Sequence, residues 1–341
     1  MKNIYSNIYS FNKKSYKKTI KALKKGNIVS LPTETVYGLA GNAYSQKSIN
    51  KIFNLKKRPS YNPLIIHYHD LKKTYNDIVL NEHFLKLYKK FCPGPLTFIL
   101  KKNKNSRVVS SATANLSTIA IRFPNNRKIR AILKILDFPL AMPSANISSS
   151  LSPVTAYDVY EEFKNKVKII INGGKSKVGI ESTVIDLTEK PKILRPGIIS
   201  PQQIKNCLKI NFSKRKSKIK SPGMLKKHYS PGIPIILGKK PSSDNYAFIV
   251  YGKKFKNKKN YFNLSKKADL TEAAANLYKT MRKIKKLGFK KVKLLTNNPR
   301  KIEQVMAMGL EVTKRIDLRT EPNTENANYL STKALKSGHF L

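Results

Sequence analysis

The sequence predicts an α/β fold built on an open, twisted, mixed sheet with helices. Short apolar runs typical of strands alternate along the chain with longer stretches of helical spacing, which is the pattern of α/β proteins. Residues 182–186 and 192–194 follow each other closely as strands, so this part of the sheet should be antiparallel. With 341 residues, 40% of them hydrophobic, the chain can form two domains that each bury a core.

Hydrophobic spacing and chain breakers predict the elements of the first half. A helix over 16–25 should end at Gly26, which readily adopts the left-handed conformation. Residues 28–31 form an apolar strand, and 45–57 have helical spacing until Pro59 breaks the helix. Up to residue 171, the other predicted elements are strands at 64–66, 97–100, 118–122, 139–142 and 167–171, and helices at 83–91, 127–136 and 155–163.

A second, smaller α/β unit is predicted beyond a charged linker. Residues 213–220 contain Lys, Arg and Ser without an apolar face, which indicates a solvated segment. The elements after the linker are strands at 233–237, 246–251, 291–295 and 311–318, and helices at 270–286 and 299–308. We therefore place one domain at 12–207, a linker at 208–232 and a second domain at 233–341.

The net charge is unusual, because 68 Lys and Arg residues against 19 Asp and Glu residues give +49. Nucleic-acid binding is one interpretation, since such a charge displaces counterions from phosphate backbones. Composition bias is the other: Lys, Asn and Ile are abundant everywhere, Trp is absent, and the lysines are spread along the chain. We favour composition bias, although the electrostatic field of this charge would still raise the local concentration of ATP or tRNA.

The cysteines and the hydropathy indicate a cytoplasmic protein. Cys92 and Cys207 are the only cysteines and lie far apart, so the sequence contains no disulfide framework. No apolar run approaches the roughly 20 residues that a membrane-spanning helix needs. We therefore expect no membrane partner.

Four groups of polar residues carry candidate chemistry. They are Thr33 and Thr35 with Lys56 and Arg58 one helix later, Thr118 with Arg122, Ser144 with Asn146, and Ser182 with Arg195. A guanidinium binds phosphate or carboxylate through paired hydrogen bonds, and small polar residues after a strand offer N–H groups and hydroxyls. Each group alone also fits a solvated helix end or an ordinary turn. Together they suit an anionic, phosphate-bearing ligand.

The order and wording of these motifs resemble the threonylcarbamoyl-adenylate synthase family, which begins the threonylcarbamoyl modification of adenosine 37 in tRNA. The motifs are Pro-Thr-Glu-Thr-Val-Tyr-Gly at 32–38, Lys-x-Arg-Pro at 56–59, Asn-Pro-Leu-Ile-x-His at 62–67, Pro-Gly-Pro-Leu-Thr at 93–97, Ala-x-Arg-x-Pro at 120–124, Pro-Ser-Ala-Asn at 143–146, Glu-Ser-Thr-Val-x-Asp at 181–186 and Leu-Arg-Pro-Gly at 194–197. Residues 221–231 resemble the linker of the family's long form, which joins a YrdC-like synthase domain to a small Rossmann-like domain.

This resemblance implies a nucleotidyltransferase that makes threonylcarbamoyl-AMP and pyrophosphate from L-threonine, bicarbonate and ATP. The residues implied for L-threonine are Thr33, Thr35, His67, Arg122, Ser144 and Ser182. Those implied for ATP are Lys56, Arg58, Asn62, Thr118, Asn146, Arg195 and Tyr229, of which Lys56 and Arg58 are also the catalytic pair and Tyr229 acts as a lid. Mg²⁺ would come with ATP, and no metal would be held by the protein. A downstream threonylcarbamoyl transferase complex would receive the product, and a tRNA partner is left open.

The tail contains Leu-Leu-Thr-Asn-Asn-Pro at 294–299, followed by Lys301. Through this motif, residues 287–341 resemble a different family, the C-terminal end of GTP cyclohydrolase II. In that family the residues matching Thr296 and Lys301 contact GTP, and the sequence leaves such a contact open here. That enzyme needs a zinc site of three cysteines, whereas this chain has two cysteines in all. Cyclohydrolase II activity is therefore not expected.

The alternative to a synthase is a non-catalytic protein of the same fold that binds double-stranded RNA or tRNA through its charge. Lys56, Arg58, Ser144 and Asn146 favour the enzyme, because a pure RNA-binding protein does not need a threonine-sized pocket. A carbamoyl-transfer domain of a hydrogenase maturation protein is a third interpretation. Those proteins are much longer and contain cysteine-rich zinc fingers, which this sequence lacks.

Overall fold

The computed structural model describes residues 5–210, 232, 246–253, 255 and 258–289, and the backbone of strands at 235–237, 292–294 and 312–315. The chain divides into two compact units, an N-terminal unit of residues 1–148 and 152–225 and a C-terminal unit of residues 149–151 and 226–341. The main division falls inside the predicted linker 208–232, where residues 211–231 lie outside the described ranges. The bounds of that linker therefore stay a prediction.

The N-terminal unit is a ten-stranded mixed sheet with helices, which confirms the predicted fold class. Its strands are β1 (Ile8–Ser10), β2 (Val29–Leu31), β3 (Gly38–Asn42), β4 (Ile65–His67), β5 (Leu96–Lys101), β6 (Thr118–Arg122), β7 (Leu140–Ala141), β8 (Ile170–Asn172), β9 (Thr183–Asp186) and β10 (Lys192–Arg195). Its α-helices are α1 (Lys13–Lys24), α2 (Gln46–Lys56), α3 (Glu82–Phe91), α4 (Arg127–Ile135), α5 (Ala156–Phe163) and α6 (Pro201–Leu208). The strand order across the sheet is β1-β8-β2-β3-β7-β4-β6-β5-β9-β10.

Most predicted elements are confirmed, and the differences have local causes. Helix α1 begins earlier than predicted because the Asn12 side chain and Ser15 form a reciprocal capping box. Strand β3 was not predicted, since two glycines and no β-branched residue make it a poor strand sequence. Pairing with β2 and β7 holds it in the sheet. Helix α6 was also missed, although Ser200 caps it.

The four strands β4, β6, β5 and β9 lie side by side and have two different faces. One face carries Ile66, Ile121, Phe98 and Ile185 into the main hydrophobic core of the unit. The opposite face carries a small buried cluster formed by Ile65, Ala120, Ile99 and Val184. Because side chains alternate between the two faces of a strand, residues two positions apart on any of these strands lie on the same face.

The C-terminal unit is a parallel five-stranded sheet with helix α7 (Leu270–Lys286). Its strands are β11 (Ile235–Leu237), β12 (Ala247–Val250), β13 (Tyr261–Asn263), β14 (Val292–Leu294) and β15 (Val312–Arg315), in the order β13-β12-β14-β11-β15. This arrangement confirms the small Rossmann-like α/β domain. The predicted helix at 299–308 lies outside the described residues. Throughout the part that the structure describes, no helix is long and apolar enough to cross a membrane.

Asp77 is a buried acceptor for three hydroxyl groups. The hydroxyls of Tyr44 and Tyr68 donate to its Oδ2 at 2.8 and 2.9 Å, and the Ser106 hydroxyl donates to its Oδ1 at 2.7 Å. We predict that Asp77→Ala lowers the free energy of unfolding by about 3 kcal/mol, because buried hydroxyls lose their acceptor. Asp137→Ala, at an exposed position, should change it by less than about 0.5 kcal/mol. Urea denaturation of both variants checks this, and equal effects would contradict it.

Candidate functional site

The turn between β2 and β3, residues 33–37, is organised by the side chain of Thr33. Its hydroxyl donates to the Val36 carbonyl at 2.6 Å and accepts from the backbone N–H groups of Thr35 and Val36, both at 3.1 Å. The Thr33 and Thr35 hydroxyls lie 2.8 Å apart, and both residues are buried. The family resemblance implies that Thr33 binds L-threonine. In the structure, the hydrogen bonds of the Thr33 hydroxyl stabilise this turn.

Strand register brings several predicted residues into one row across the sheet. His67 on β4 pairs with Arg122 on β6, and Arg122 pairs with Thr97 on β5. Directly paired residues share a face of the sheet, so these three side chains lie on the face that carries the small buried cluster. The Thr97 and Ser182 hydroxyls lie 2.7 Å apart, and Arg195 donates to the Ser182 carbonyl and hydroxyl at 3.0 and 3.1 Å.

A buried ion pair joins this row to the turn. An amino group of Arg122 lies 2.6 Å from the Glu34 carboxylate, and the two side chains are only 5% and 9% exposed. The other Glu34 oxygen accepts from the backbone N–H of Asn125 at 3.0 Å. The Nε–H of Arg122 is buried and has no hydrogen-bond partner among the described residues. A buried donor of this kind indicates an acceptor that a ligand can supply.

His67 is neutral and held in one tautomer. Burial, followed by the positive charge of Arg122, lowers the pKa of His67 to about 3. Its Nδ1 lies 3.1 Å from the Ile65 carbonyl oxygen, which can only accept, so Nδ1 carries the proton. Nε2 is therefore the acceptor nitrogen of the ring. Such a nitrogen can accept a hydrogen bond from a hydroxyl or an ammonium group.

Lys56 forms the second part of the site, at the end of α2. It is 1% exposed, and its ammonium group donates to the backbone carbonyls of Ser144 and Asn146, both at 2.5 Å. Burial, and then the charge of Arg58, lower the pKa of Lys56 well below its ordinary value, while Glu162 and Glu181 act in the opposite direction. A bound anion would raise this pKa, because its negative charge favours the charged form of the ammonium group.

Arg58 is fixed next to Lys56 by the segment that follows α2. Its guanidinium donates to the Asn62 carbonyl at 2.9 Å, to the Asn62 side-chain oxygen at 2.6 Å and to the Pro63 carbonyl at 2.8 Å. Asn62 is 2% exposed, so its amide orients Arg58 from below the surface. This pre-positions a half-buried cation beside Lys56, and a guanidinium can bind phosphate oxygens.

The turn at 33–37 connects the two parts. The backbone N–H of Ala145 donates to the Tyr37 carbonyl at 2.8 Å, and Gly38 forms a β-bridge with Ser144. On its other side, the N–H of Gly179 donates to the Thr35 carbonyl at 3.0 Å. The segment carrying Ser144 and the segment leading to Ser182 are therefore both fixed to this turn.

The structure thus brings most of the sequence-predicted residues together. Thr118 lies on the same sheet face as Arg122, at the far end of β6, and is partly exposed. Tyr229, Thr296 and Lys301 lie outside the described residues, so their roles stay predictions. The sequence reasoning missed two further residues: Glu34, an acid inside the first motif, and Thr97, which the register places beside Arg122.

Metal ligands do not cluster in the described part of the chain. Among these residues, no group of three or more His, Cys, Asp or Glu side chains could hold a metal ion. The described side chains instead offer buried cations, hydroxyls and one neutral imidazole. This donor set suits carboxylate and phosphate groups and does not suit a divalent cation.

Two protein-family models match the chain. The Sua5/YciO/YrdC model, described as telomere recombination, covers residues 21–197, just over half of the chain. The model described as threonylcarbamoyl-AMP synthase, C-terminal domain, covers residues 199–315. The second match runs through much of the segment that resembles GTP cyclohydrolase II, so up to residue 315 the chain is similar to the synthase family's own C-terminal domain. The cyclohydrolase resemblance of the tail stays a prediction.

Individual relatives agree with these models. A threonylcarbamoyl-AMP synthase of Pyrococcus abyssi is 39% identical over 230 residues, which cover 64% of this chain and 66% of the relative. One of Bacillus subtilis is 37% identical over 223 residues, 63% of this chain and 64% of the relative. The alignments thus span slightly less than two thirds of these relatives. The solved structure of P. abyssi Sua5 complexed with L-threonine has a TM-score of 0.78 and 30% identity, and covers 89% of this chain and 95% of that chain.

The lowered pKa of His67 predicts a pH dependence of stability. Folding lowers this pKa from 6.5 to about 3. Between these pH values, His67 is protonated in the unfolded chain and neutral in the folded chain. The contribution of neutral His67 to the free energy of unfolding is fully present above about pH 6.5 and is lost as the pH falls towards 3. From pH 7 to pH 5, wild type should lose about 2 kcal/mol of unfolding free energy relative to His67→Gln.

Denaturant titrations of wild type and His67→Gln at both pH values measure this difference. NMR signals of the His67 ring should show the neutral Nδ1–H tautomer throughout the range. A difference in stability that does not change with pH, or a ring that takes up a proton near pH 6, would show that His67 is not buried as a neutral base.

Proposed function

Because the chain belongs to the Sua5/YciO/YrdC family, in the form with the threonylcarbamoyl-AMP synthase C-terminal domain, we propose that it makes threonylcarbamoyl-AMP. The substrates are L-threonine, bicarbonate and ATP, and the second product is pyrophosphate. The enzyme is then a nucleotidyltransferase that acts in the cytoplasm and supplies the threonylcarbamoyl group for adenosine 37 of tRNA. Its relative of known structure was solved with L-threonine.

The observation that carries this proposal is the row of His67, Arg122 and Ser182. Arg122 is a buried cation whose Nε–H has no partner among the described residues, and it suits the carboxylate of an amino acid. His67 offers a neutral nitrogen that can accept from the hydroxyl or the amino group. Ser182 contributes its buried hydroxyl group, and the buried Thr35 hydroxyl lies on the turn whose Glu34 contacts Arg122. Together these groups match the three polar functions of L-threonine.

ATP binds at the Lys56 end of the site in this proposal. Lys56 and Arg58 neutralise the triphosphate, Asn62 orients Arg58, and Asn146, Thr118, Arg195 and Tyr229 contact the nucleotide. Mg²⁺ would be carried by ATP, with phosphate oxygens and water as its ligands, and would supply additional neutralisation of phosphate charge. The residues described above supply no carboxylate cage for the ion. We therefore assign the protein's contribution to its own cations.

The reaction needs positioning and charge neutralisation rather than a protein nucleophile. Bicarbonate takes up a proton and loses water to give CO2. The threonine amine adds this CO2 and releases a proton, which gives a carbamate. A carbamate oxygen then forms a bond to the α-phosphorus as the bond to pyrophosphate breaks. A site that holds the carboxylate on Arg122 and the triphosphate on Lys56 and Arg58 aligns these atoms. A downstream threonylcarbamoyl transferase complex takes up the product, so tRNA binding is not required for this step.

Pyrophosphate release tests the proposal directly. We predict release from ATP only when L-threonine and bicarbonate are both present. Arg58→Ala should reduce kcat/KM at least about tenfold, because the triphosphate loses a charge-assisted contact. Arg127→Ala, which removes an exposed arginine at the start of α4, should stay within about twofold of wild type.

Mass spectrometry of the product distinguishes this reaction from simple ATP hydrolysis. Release that does not depend on L-threonine, or no release by folded protein, would contradict the synthase. In that case tRNA binding measured against salt concentration would test the alternative, since binding through phosphate contacts weakens steeply as salt rises.

A further inference from the structure

We propose that Glu34 is a positioning residue that fixes Arg122 for the substrate carboxylate. This inference rests on the proposed function, because it concerns how the same site recognises L-threonine. Glu34 accepts a hydrogen bond from one amino group of the Arg122 guanidinium, so that the Nε–H remains available to a ligand. Neither the family resemblance nor the motif that contains Glu34 assigns it this task.

Without a fixed partner, the Arg122 side chain could adopt several orientations. Arg122 is the last residue of β6, and its long side chain leaves the sheet where the strand ends. A guanidinium carries five N–H donors, so several orientations could satisfy one or two of them. The 2.6 Å contact with the Glu34 carboxylate selects one orientation. It also supplies the negative charge that a buried guanidinium needs when no substrate is bound.

Glu34 is held in place independently of Arg122. Its Oε2 accepts from the backbone N–H of Asn125, and its own carbonyl accepts from the N–H of Val178 at 2.8 Å. Both ends of the residue are thus anchored to backbone on two other segments. A carboxylate placed in this way is a fixed support, and it does not leave when a substrate carboxylate arrives.

An amide at position 34 cannot replace the carboxylate, because it cannot accept hydrogen bonds at both contacts. Glu34→Gln keeps the size of the side chain, but its NH2 group must face either the Arg122 donor or the Asn125 N–H. A donor would then meet a donor at one of the two contacts. The guanidinium would lose its fixed orientation and its neutralising charge, while the residues around Lys56 keep theirs.

Steady-state kinetics of pyrophosphate release on the full chain test this. For Glu34→Gln we expect the KM for L-threonine to rise at least about tenfold, and the KM for ATP to stay within about twofold. Saturating L-threonine should restore most of kcat. Glu34→Asp, which keeps the charge on a shorter side chain, should give a smaller rise. Glu82→Gln removes an exposed ion pair with Lys86 and serves as the matched control.

A double variant shows whether Glu34 acts through Arg122. Adding Glu34→Gln to Arg122→Gln should cause no further loss of L-threonine binding, because the support has nothing left to position. Losses that multiply would overturn the proposal. It would equally be overturned by an unchanged or lower KM for L-threonine in Glu34→Gln, or by equal losses for ATP and L-threonine, which would indicate general damage.

These outcomes separate the two proposals. If wild type shows no pyrophosphate release that depends on L-threonine, the proposed function itself fails. If wild type shows it and Glu34→Gln behaves like Glu82→Gln, the synthase stands and only the role of Glu34 is wrong. Circular dichroism of Glu34→Gln verifies that the variant is folded in both cases.

Discussion

The buried ion pair between Glu34 and Arg122 joins two segments that are 88 positions apart in the chain. Glu34 lies in the turn that also fixes the segments leading to Ser144 and Ser182, and Arg122 stands between His67 and Thr97 in the sheet. Separating a buried pair leaves uncompensated charge in a region of low polarity, whereas separating an exposed pair has little effect. The turn and the sheet are therefore held in one fixed arrangement, and the rest of the site is built on it.

Buried positive charge is the property that unites the two halves of the site. Lys56, Arg122 and Arg195 are each less than 5% exposed, although burial disfavours a charged group. Glu34 forms an ion pair with Arg122. The proposed substrates all carry negative charge, as carboxylate, bicarbonate or triphosphate. Fixed cations stabilise such charge more strongly where water is excluded than they do in water.

Periodic patterns and motifs in the sequence indicated where candidate residues lie, while the roles of these residues stay predictions. The period of two along β6, for example, places Arg122 on the face opposite Ile119 and Ile121, and the structure has it there. Lys56 is different, because a lysine at the end of a helix in so basic a chain usually points into water. It is buried by carbonyls 88 and 90 positions away, which no local pattern reveals. Glu34 was missed for a similar reason, since a turn has no periodicity that fixes a side chain's direction.

The strand order of the N-terminal sheet has a consequence for how the chain folds. The row from His67 to Ser182 draws on β4, β6 and β5 and on the residue before β9, so sequence-distant segments must pair before it exists. Long-range pairing of this kind is slow, because loop closure must precede the contacts that reward it. A ribosome-bound chain that ends before β9 lacks Ser182 and Arg195. Under the proposed function, the complete site for L-threonine and ATP would therefore exist only after β9 and β10 have joined the sheet.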